Sequence, residues 1–345
     1  AAMPAFRPRR FMEGRRQPIP YGMFDGERAG RERANAERLE NIYHRGQAKA
    51  WDGRAVLAEL VSRHGKPELP GNRAEALRLI LANIFWGELA AWRISADLAL
   101  QLVPLEAKMA ATSQAHDEAR HFYVLHDYLR LLGHAPAPLP PRAARLLDEV
   151  ANAPDLVRKL LGMQLMVEPL ALTLFQLLRE RRVEPVLTEL LAYYERDEAR
   201  HVALGALHLP TLMADMSQAE LLSLWRWQMH MFMLQIDGLV ESAPSLAALG
   251  IDAREVYRLG QAKQLAASRM MFGGLADRPW LLQLFVRVTE ARMAFSFPAE
   301  GSGPGLDVVI RYLLDDLRFD VVPLGRVVPA LARLAVRNER HQARD

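Results

Sequence analysis

The pentapeptide Asp-Glu-Ala-Arg-His occurs twice in the chain, at positions 117–121 and again at 197–201. Each copy places a glutamate one helical turn before a histidine: Glu118 before His121, and Glu198 before His201. On a helix, side chains at this spacing lie on the same face, so the carboxylate and the imidazole reach the same point in space. The repeat therefore predicts two helices that each direct one Glu and one His toward a common site.

Two further glutamates stand alone on apolar helical faces, and the interval between them equals the interval between the two pentapeptides. Glu88 lies in the segment 74–99 and Glu168 in the segment 155–181, each with apolar residues one and two turns away. A four-helix bundle that holds two metal ions needs this set, a single Glu from each of two helices and a Glu-x-x-His from each of the others. The equal intervals 88–118 and 168–198 suit two antiparallel hairpins, and the longer interval 118–168 leaves room for a crossover between them.

The six side chains are the candidate metal ligands and catalytic residues. Carboxylates and imidazoles without a thiolate suit iron or manganese better than a structural zinc site. Burying four carboxylates without counter-charge would be very costly, and two divalent ions would neutralise them. The set is Glu88, Glu118, His121, Glu168, Glu198 and His201.

Four charged residues beside the ligands are candidates for orienting them. Asp117 and Asp197 each precede a ligand glutamate, and each could accept the free ring N–H of a ligand histidine. This hydrogen bond would fix the tautomer of the imidazole and raise its basicity. Arg120 and Arg200 could pair with these aspartates.

Three aromatic residues are weaker candidates. Tyr194 lies one turn before Glu198 and is either a redox or hydrogen-bonding tyrosine or a core aromatic. Phe85 and Trp92 flank Glu88 and are candidate walls of a substrate pocket, although core packing is the commoner role.

Helical periodicity continues along the chain from residue 72, and no convincing strand pattern interrupts it. Gly133 predicts a helix end, Pro210 predicts that the preceding helix stops before it, and Ser217 with Glu220 predicts a capping box. Further helices are expected over 279–296, 305–318 and 323–342. We predict an all-α, ferritin-like four-helix bundle with additional N- and C-terminal helices, divided into an N-terminal arm (1–70), the bundle (71–215) and additional packed helices (216–345).

Composition excludes several classes of protein. The chain has no cysteine, which rules out disulfides, thiolate metal sites and iron–sulfur clusters. We find no uninterrupted apolar run of membrane-spanning length and no apolar signal region, so we expect a cytoplasmic protein without a membrane partner. The net charge is +3. Assigning four acids to the interior leaves a more basic exterior, which favours an acidic partner.

These residues resemble the ferritin-like diiron carboxylate superfamily over about residues 72–210. The superfamily includes ferritins, acyl-carrier-protein desaturases, multicomponent monooxygenases, ribonucleotide reductase small subunits, related ligand-binding oxidases and arylamine N-oxygenases. The resemblance implies that the first three ligands in chain order bind one iron and the last three bind the other. It also implies that Glu118 and Glu198 bridge the two ions.

Departures from each subfamily pattern leave the subfamily open. The radical tyrosine of reductase small subunits is Leu125 here, and the cross-linked Val and Tyr of the ligand-binding oxidases are Ala91 and Met163. The threonine of desaturases and multicomponent hydroxylases is absent at 171–172. The additional histidine ligand of N-oxygenases is Tyr194.

The Asp-Glu-x-Arg-His form is most similar to the oxygen-activating branch, which implies a diiron oxidase or oxygenase with dioxygen as co-substrate. Two Fe ions, or one Mn and one Fe, would serve hydroxylation, desaturation or N-oxygenation of a small-molecule or carrier-bound organic substrate. A ferredoxin or flavin reductase would supply electrons, and the chain could form a homodimer. The alternatives are a ferritin-type iron-storage protein and a tRNA-modifying diiron hydroxylase. Long extensions on both sides of the four-helix unit favour an enzyme over storage.

Overall fold

The computed structural model describes residues 26–271 and 279–298. Within these ranges the regular structure is helical throughout, which confirms the all-α prediction. The beginning of the predicted arm, 1–25, and the helices expected over 305–318 and 323–342 lie outside the described residues. The described helices are α1 (Gly26–Ala48), α2 (Gly53–His64), α3 (Asn72–Gln101), α4 (Leu105–Leu131), α5 (Pro141–Ala151), α6 (Leu156–Gly162), α7 (Glu168–Glu180), α8 (Pro185–Met213), α9 (Gln218–Ala248), α10 (Ala253–Met271) and α11 (Pro279–Ser296).

Four long helical elements form the central bundle. α3 packs on α4 and α7 packs on α8, in each case across a short connection, and α4 packs on α8 to join the two hairpins. The longer connection between α4 and α6 carries α5, which packs on α3 and α9. Two hairpins joined by one crossover form the ferritin-like arrangement expected from the ligand spacing.

The apolar core of the bundle consists of two clusters with a band of charged side chains between them. On α3, Phe85 belongs to one cluster and Ala91 to the other, and Glu88 is buried between them. The same change of cluster occurs at the corresponding point of the other three elements. The helices are therefore held together above and below the band, and the band itself is positioned by apolar packing on both sides.

Most predicted helix ends are confirmed. Gly133 adopts a positive φ of 84°, and the N–H of His134 donates to the carbonyl of Leu129 at 2.9 Å, which closes the end of α4. Ser217 and Glu220 form the expected capping box at the start of α9. The expected stop before Pro210 is wrong, because α8 continues through it to Met213. A proline removes one backbone hydrogen bond, and the burial of neighbouring side chains in α8 offsets this cost.

The segment Met163–Val167, between α6 and α7, forms a single π-helical turn that keeps the two helices continuous. Pro169 follows this turn and has no N–H to donate, so the regular α pattern of hydrogen bonds is broken here. The Met166 carbonyl instead accepts side-chain amides from Gln235 and Gln264, each at 3.0 Å. The wide turn directly precedes Glu168 and sets the direction of its side chain.

Helices outside the bundle cover its faces. α1 and α2 lie within the predicted N-terminal arm, and both pack on α4 and α8. α9 packs on α3 and α5, and α10 packs on α7, α8 and α9. Among the described residues, the stretch Leu156–Glu180 is long and apolar enough to cross a membrane, but 67% of its apolar part is buried inside the protein. This burial identifies it as a core element of the bundle.

Candidate metal centre

The structure brings the six candidate ligands together in the charged band at the middle of the bundle. α3 and α7 each contribute one glutamate, and α4 and α8 each contribute a Glu-x-x-His pair. None of the six residues is more than 4% exposed. The helical spacing thus places each Glu and His on one inward face, as the repeat requires.

The ligand atoms form two overlapping groups. Glu88, Glu118, His121 and Glu198 each offer one atom within 4.8 Å of the others, and so does the set of Glu118, Glu198, Glu168 and His201. Glu118 and Glu198 belong to both groups, so each could contribute to holding an ion at either position.

The two imidazoles direct the same nitrogen to the centre. His121 Nδ1 lies 3.3 Å from Glu88 Oε2 and 3.2 Å from Glu198 Oε1. His201 Nδ1 lies 2.7 Å from Glu198 Oε2 and 3.0 Å from Glu118 Oε1. Each Nδ1 can therefore reach the same ion as the adjacent carboxylates.

The opposite ring nitrogens contact the two aspartates across the bundle. His121 Nε2 is 3.3 Å from Asp197 Oδ2, and His201 Nε2 is 3.4 Å from Asp117 Oδ2. Each aspartate thus holds the histidine of the other repeat. An N–H on Nε2 leaves the lone pair of Nδ1 directed at the centre, as a metal ligand requires.

Two arginines neutralise this pair of buried aspartates. Arg200 donates to Asp117 at 2.9 Å and to Asp197 at 2.8 Å, and Arg120 donates to both as well. The four side chains form a network between α4 and α8, because each arginine spans the two helices. Arg196 adds two longer contacts, of 3.3 Å each, to Asp197 Oδ1. The network fixes the aspartates that orient the histidines.

Trp51, which was not predicted from the sequence, also belongs to this network. It lies between α1 and α2, its Nε1 donates to Asp197 Oδ2 at 2.7 Å, and the Arg120 guanidinium lies 4.9 Å from its ring centroid. No periodic pattern or motif marks this residue in the sequence. Only the packing of α1 and α2 on the bundle brings it to the site.

Two buried glutamines were also missed. Gln114, one turn before Glu118, donates to Glu168 Oε1 at 2.8 Å and to Glu118 Oε1 at 3.2 Å. Gln164, in the π turn, donates to Gln114 Oε1 at 2.6 Å. Sequence spacing could have identified Gln114, because it lies four residues before Glu118, just as Tyr194 lies four residues before Glu198.

Tyr194 closes the histidine side of the site. Its ring stacks on His121 with the centroids 4.2 Å apart, and its hydroxyl donates to the His121 backbone carbonyl at 2.6 Å. Burial raises the pKa of this phenol well above its ordinary value. The tyrosine therefore packs and positions the imidazole as a neutral hydrogen-bond donor.

The pKa values of several ligand side chains are raised in the metal-free protein. Burial raises the pKa of Glu88 and of Glu168 well above the ordinary glutamate value. Burial opposes the charged form of His121 as well, but the nearby carboxylates of Asp197 and of the surrounding glutamates favour it more strongly and raise its pKa. The cluster therefore holds protons that metal ions would displace.

The donor set fits two divalent metal ions. Glu118 Oε2 and His121 Nδ1 are buried without a hydrogen-bond partner, which is costly unless a cation serves as the partner. Four carboxylates and two divalent ions sum to zero charge. Oxygen and imidazole ligands without sulfur match iron and manganese.

A cavity that opens to solvent lies against one side of this centre. Glu88, Glu168 and Glu198 form its polar end, and apolar side chains from α3, α5, α7 and α9 form most of its walls. Gln235 and Ser242 are among its few neutral polar residues, and the described lining contains no Lys, Arg or His.

Phe85 and Trp92 do not line this cavity. Phe85 is buried in the core, stacked on Phe122 with the ring centroids 4.5 Å apart, and Trp92 lies 6.5 Å from the same ring. The cavity instead borders the neighbouring flank of α3, which carries small residues such as Gly87 and Ala91. Aromatic size alone did not indicate which flank of the helix is open.

No family model matches the chain, and no curated protein matches it. Two similar solved structures are single-substitution variants of an R2-like ligand-binding oxidase. One, with an aerobically reconstituted Mn/Fe cofactor, is 17% identical, with a TM-score of 0.43, and the match covers 74% of this chain and 92% of that one. The other, with an aerobically reconstituted Fe/Fe cofactor, is 18% identical, with a TM-score of 0.43, over 74% and 91%. Because these values are low, we infer the function from the site itself.

Proposed function

We propose that this chain is a dioxygen-activating, non-haem diiron oxidase or oxygenase that acts on an organic substrate. The observation that carries the proposal is the pair of overlapping, fully buried Glu/His groups that share Glu118 and Glu198. Two Fe ions, or one Mn and one Fe, would supply the reduction of dioxygen when bound. Hydroxylation, desaturation and N-oxygenation are the reactions that this chemistry supports.

The side chains of the site perform three tasks in this proposal. Glu118 and Glu198 would hold both ions, because each residue belongs to both groups. Asp117 and Asp197 keep the Nε2 protons of the histidines in place, so that each Nδ1 remains a ligand. The two apolar clusters above and below shield those two sides of the centre from water.

The cavity favours an enzyme over an iron-storage protein. It opens directly on Glu88, Glu168 and Glu198, so a substrate in the cavity would lie beside both metal positions. Its walls are mostly apolar, which suits an organic substrate with a largely apolar body. A tRNA-modifying site needs basic residues near the substrate, and the described residues of this lining include no Lys, Arg or His.

An acidic electron donor, a ferredoxin or a flavin reductase, completes the proposal. Without the four ligand glutamates, basic residues outnumber acidic residues by seven in the rest of the chain. A chain with this excess of positive charge attracts an acidic protein at low salt, and the attraction weakens as ionic strength rises. Association that is insensitive to salt would count against this partner.

Metal content tests the proposal directly. After anaerobic loading with ferrous iron, elemental analysis should find two ions per chain, and exposure to air should consume dioxygen. Glu118→Ala and Glu198→Ala should each lose bound iron and dioxygen uptake, because each removes a ligand from both groups. The matched control is Glu189→Gln, an exposed carboxylate of α8 that pairs with Arg63 and His64.

The outcomes separate the candidates. Circular dichroism should show that the alanine variants remain helical, since each loses a buried carboxylate rather than a packing residue. Full metal occupancy in both alanine variants would refute the site. Mineralisation of many irons per chain, in place of two, would identify a storage protein.

A further inference from the structure

The repeated pentapeptide relates the two halves of the site, and most contacts in one half have an equivalent in the other. Asp117 contacts His201, and Asp197 contacts His121 in the same way. The two arginines of the repeat each span both aspartates. These equivalent contacts alone would give two equivalent metal positions.

The halves differ one turn before each bridging glutamate. On α4 this position is Gln114, whose amide reaches Glu168 and Glu118 at 2.8 and 3.2 Å. On α8 it is Tyr194, whose hydroxyl donates to a backbone carbonyl instead of a carboxylate. Gln114 donates an amide N–H to Glu168, but among the described residues no side-chain amide donates to Glu88 in the same way.

Gln164 determines the orientation of Gln114. Both amide hydrogens of Gln114 face carboxylate oxygens, so its own oxygen must accept a hydrogen bond, and Gln164 Nε2 supplies it at 2.6 Å. Neither glutamine is more than 1% exposed, so water does not compete for these contacts. Gln164 lies in the π turn and packs closely on Gly205, where an added Cβ would lie only 2.4 Å from the Gln164 Cβ.

We propose that Gln114, oriented by Gln164, is a positioning residue that makes the two metal positions unequal. The inference rests on the metal centre proposed above. The Gln114 amide holds the Glu168 carboxylate in place before a metal arrives, and one N–H leaves further lone pairs of that carboxylate available for a metal. The position beside Glu168 and His201 therefore binds a divalent ion more tightly than the position beside Glu88 and His121.

Calorimetric titration of the metal-free protein with Co²⁺ under anaerobic conditions tests the inequality. Partners that orient a ligand typically contribute ten- to a hundred-fold to metal affinity, so we expect two binding steps separated by about that factor. His201→Ala should remove the tighter step, and His121→Ala should leave it. Two steps of equal affinity in the wild-type protein would overturn the inference.

Variants of the glutamines test the cause. Gln114→Leu should weaken the tighter step by about ten- to a hundred-fold, so that the two steps merge. The double variant Gln114→Leu/Gln164→Leu removes both amides and leaves no unpaired donor, so it keeps the test valid if the single variant is unstable. Gln176→Leu is the matched control, because Gln176 is a glutamine of α7 outside the site whose amide donates to Glu180 at 2.8 Å, and it should retain two separate steps.

The two proposals fail in different ways. Absence of both binding steps in the wild-type protein would refute the metal centre itself. Two separate steps that persist in the double variant would leave the centre standing and refute the role of Gln114. A change in melting temperature without a change in the step affinities would identify the glutamines as structural only, and would also refute the role.

Discussion

Asp197→Asn is the substitution whose effect the structure defines most closely. Asp197 is fully buried, and its two oxygens face only N–H donors. Oδ1 accepts from Arg200 at 2.8 Å, and Oδ2 accepts from Trp51 at 2.7 Å and from Arg120 at 3.0 Å. Asparagine has the same size, but its NH₂ group must face one of these sets of donors.

The expected cost follows from the burial of the arginines. Arg120 and Arg200 have side chains that are 8% and 11% exposed, and in the variant they share the single charge of Asp117. Removing one partner of a buried ion network costs about 3–5 kcal/mol, because the remaining charge stays desolvated. We therefore expect the free energy of unfolding of the metal-free protein to fall by about this amount.

Urea unfolding monitored by far-ultraviolet circular dichroism, with chelator present, measures this loss. The control is Glu59→Gln, which removes an exposed pair with Arg63 on α2, where the side chains are 64% and 50% exposed. Such a pair contributes less than about 0.5 kcal/mol. The reasoning is refuted if the unfolding midpoint of Asp197→Asn moves no further than that of the control.

The pH dependence of the same comparison gives a second check. Burial raises the pKa of Asp197, but the His121 hydrogen bond and the arginine charges outweigh it and hold the pKa well below its ordinary value. A lowered folded-state pKa means that the stabilisation is complete above the unfolded pKa of about 4 and is lost as the pH falls further. The difference between wild type and Asp197→Asn should therefore stay constant from neutral pH to about 4 and shrink below it.

Three further predictions concern packing, a second buried hydrogen bond and metal binding. Gly205→Val should lower the free energy of unfolding by about 1–3 kcal/mol, because its Cβ would lie 2.4 Å from the Gln164 Cβ. Gly87→Ala, which has open space around the new methyl group, should leave the melting temperature unchanged or raise it. Tyr128→Phe should cost about 1.5–3 kcal/mol in urea unfolding, since the Tyr128 hydroxyl donates to the buried Glu184 carboxylate at 2.9 Å; a loss below about 0.5 kcal/mol would contradict this. Metal affinity should rise with pH, and titration should release protons into a weakly buffered solution, because the ligand histidines and the two glutamates with raised pKa hold protons in the metal-free protein. Proton release that is absent at every pH would show that the cluster is already deprotonated.

Local rules were sufficient for much of the fold and for the ligand set. The inward direction of Glu118 and His121 follows from helical periodicity, which depends only on residues a turn apart. The end of α4 at Gly133 follows from the preference of glycine for positive φ. The capping box at Ser217 is likewise a local interaction. Each of these features is encoded within a short stretch of sequence around the place where it appears.

The errors and omissions share a different origin. α8 runs through Pro210 because tertiary burial outweighs one missing hydrogen bond. α5 forms in the segment between α4 and α6 and packs on α9, although no prediction identified it. Phe85 faces the core rather than the cavity because of its neighbour Phe122. None of these outcomes is decided by residues adjacent in sequence.

The sequence by itself determined which six side chains converge, because a repeated Glu-x-x-His and two lone glutamates on apolar helical faces are compatible with little else. The tertiary structure alone decided which aspartate holds which histidine and brought Trp51 to Asp197. It also decided that Gln114 supports one glutamate and not its counterpart. These contacts join residues on different helices that lie far apart in the sequence, and their partners are set by how the helices pack rather than by any period within them.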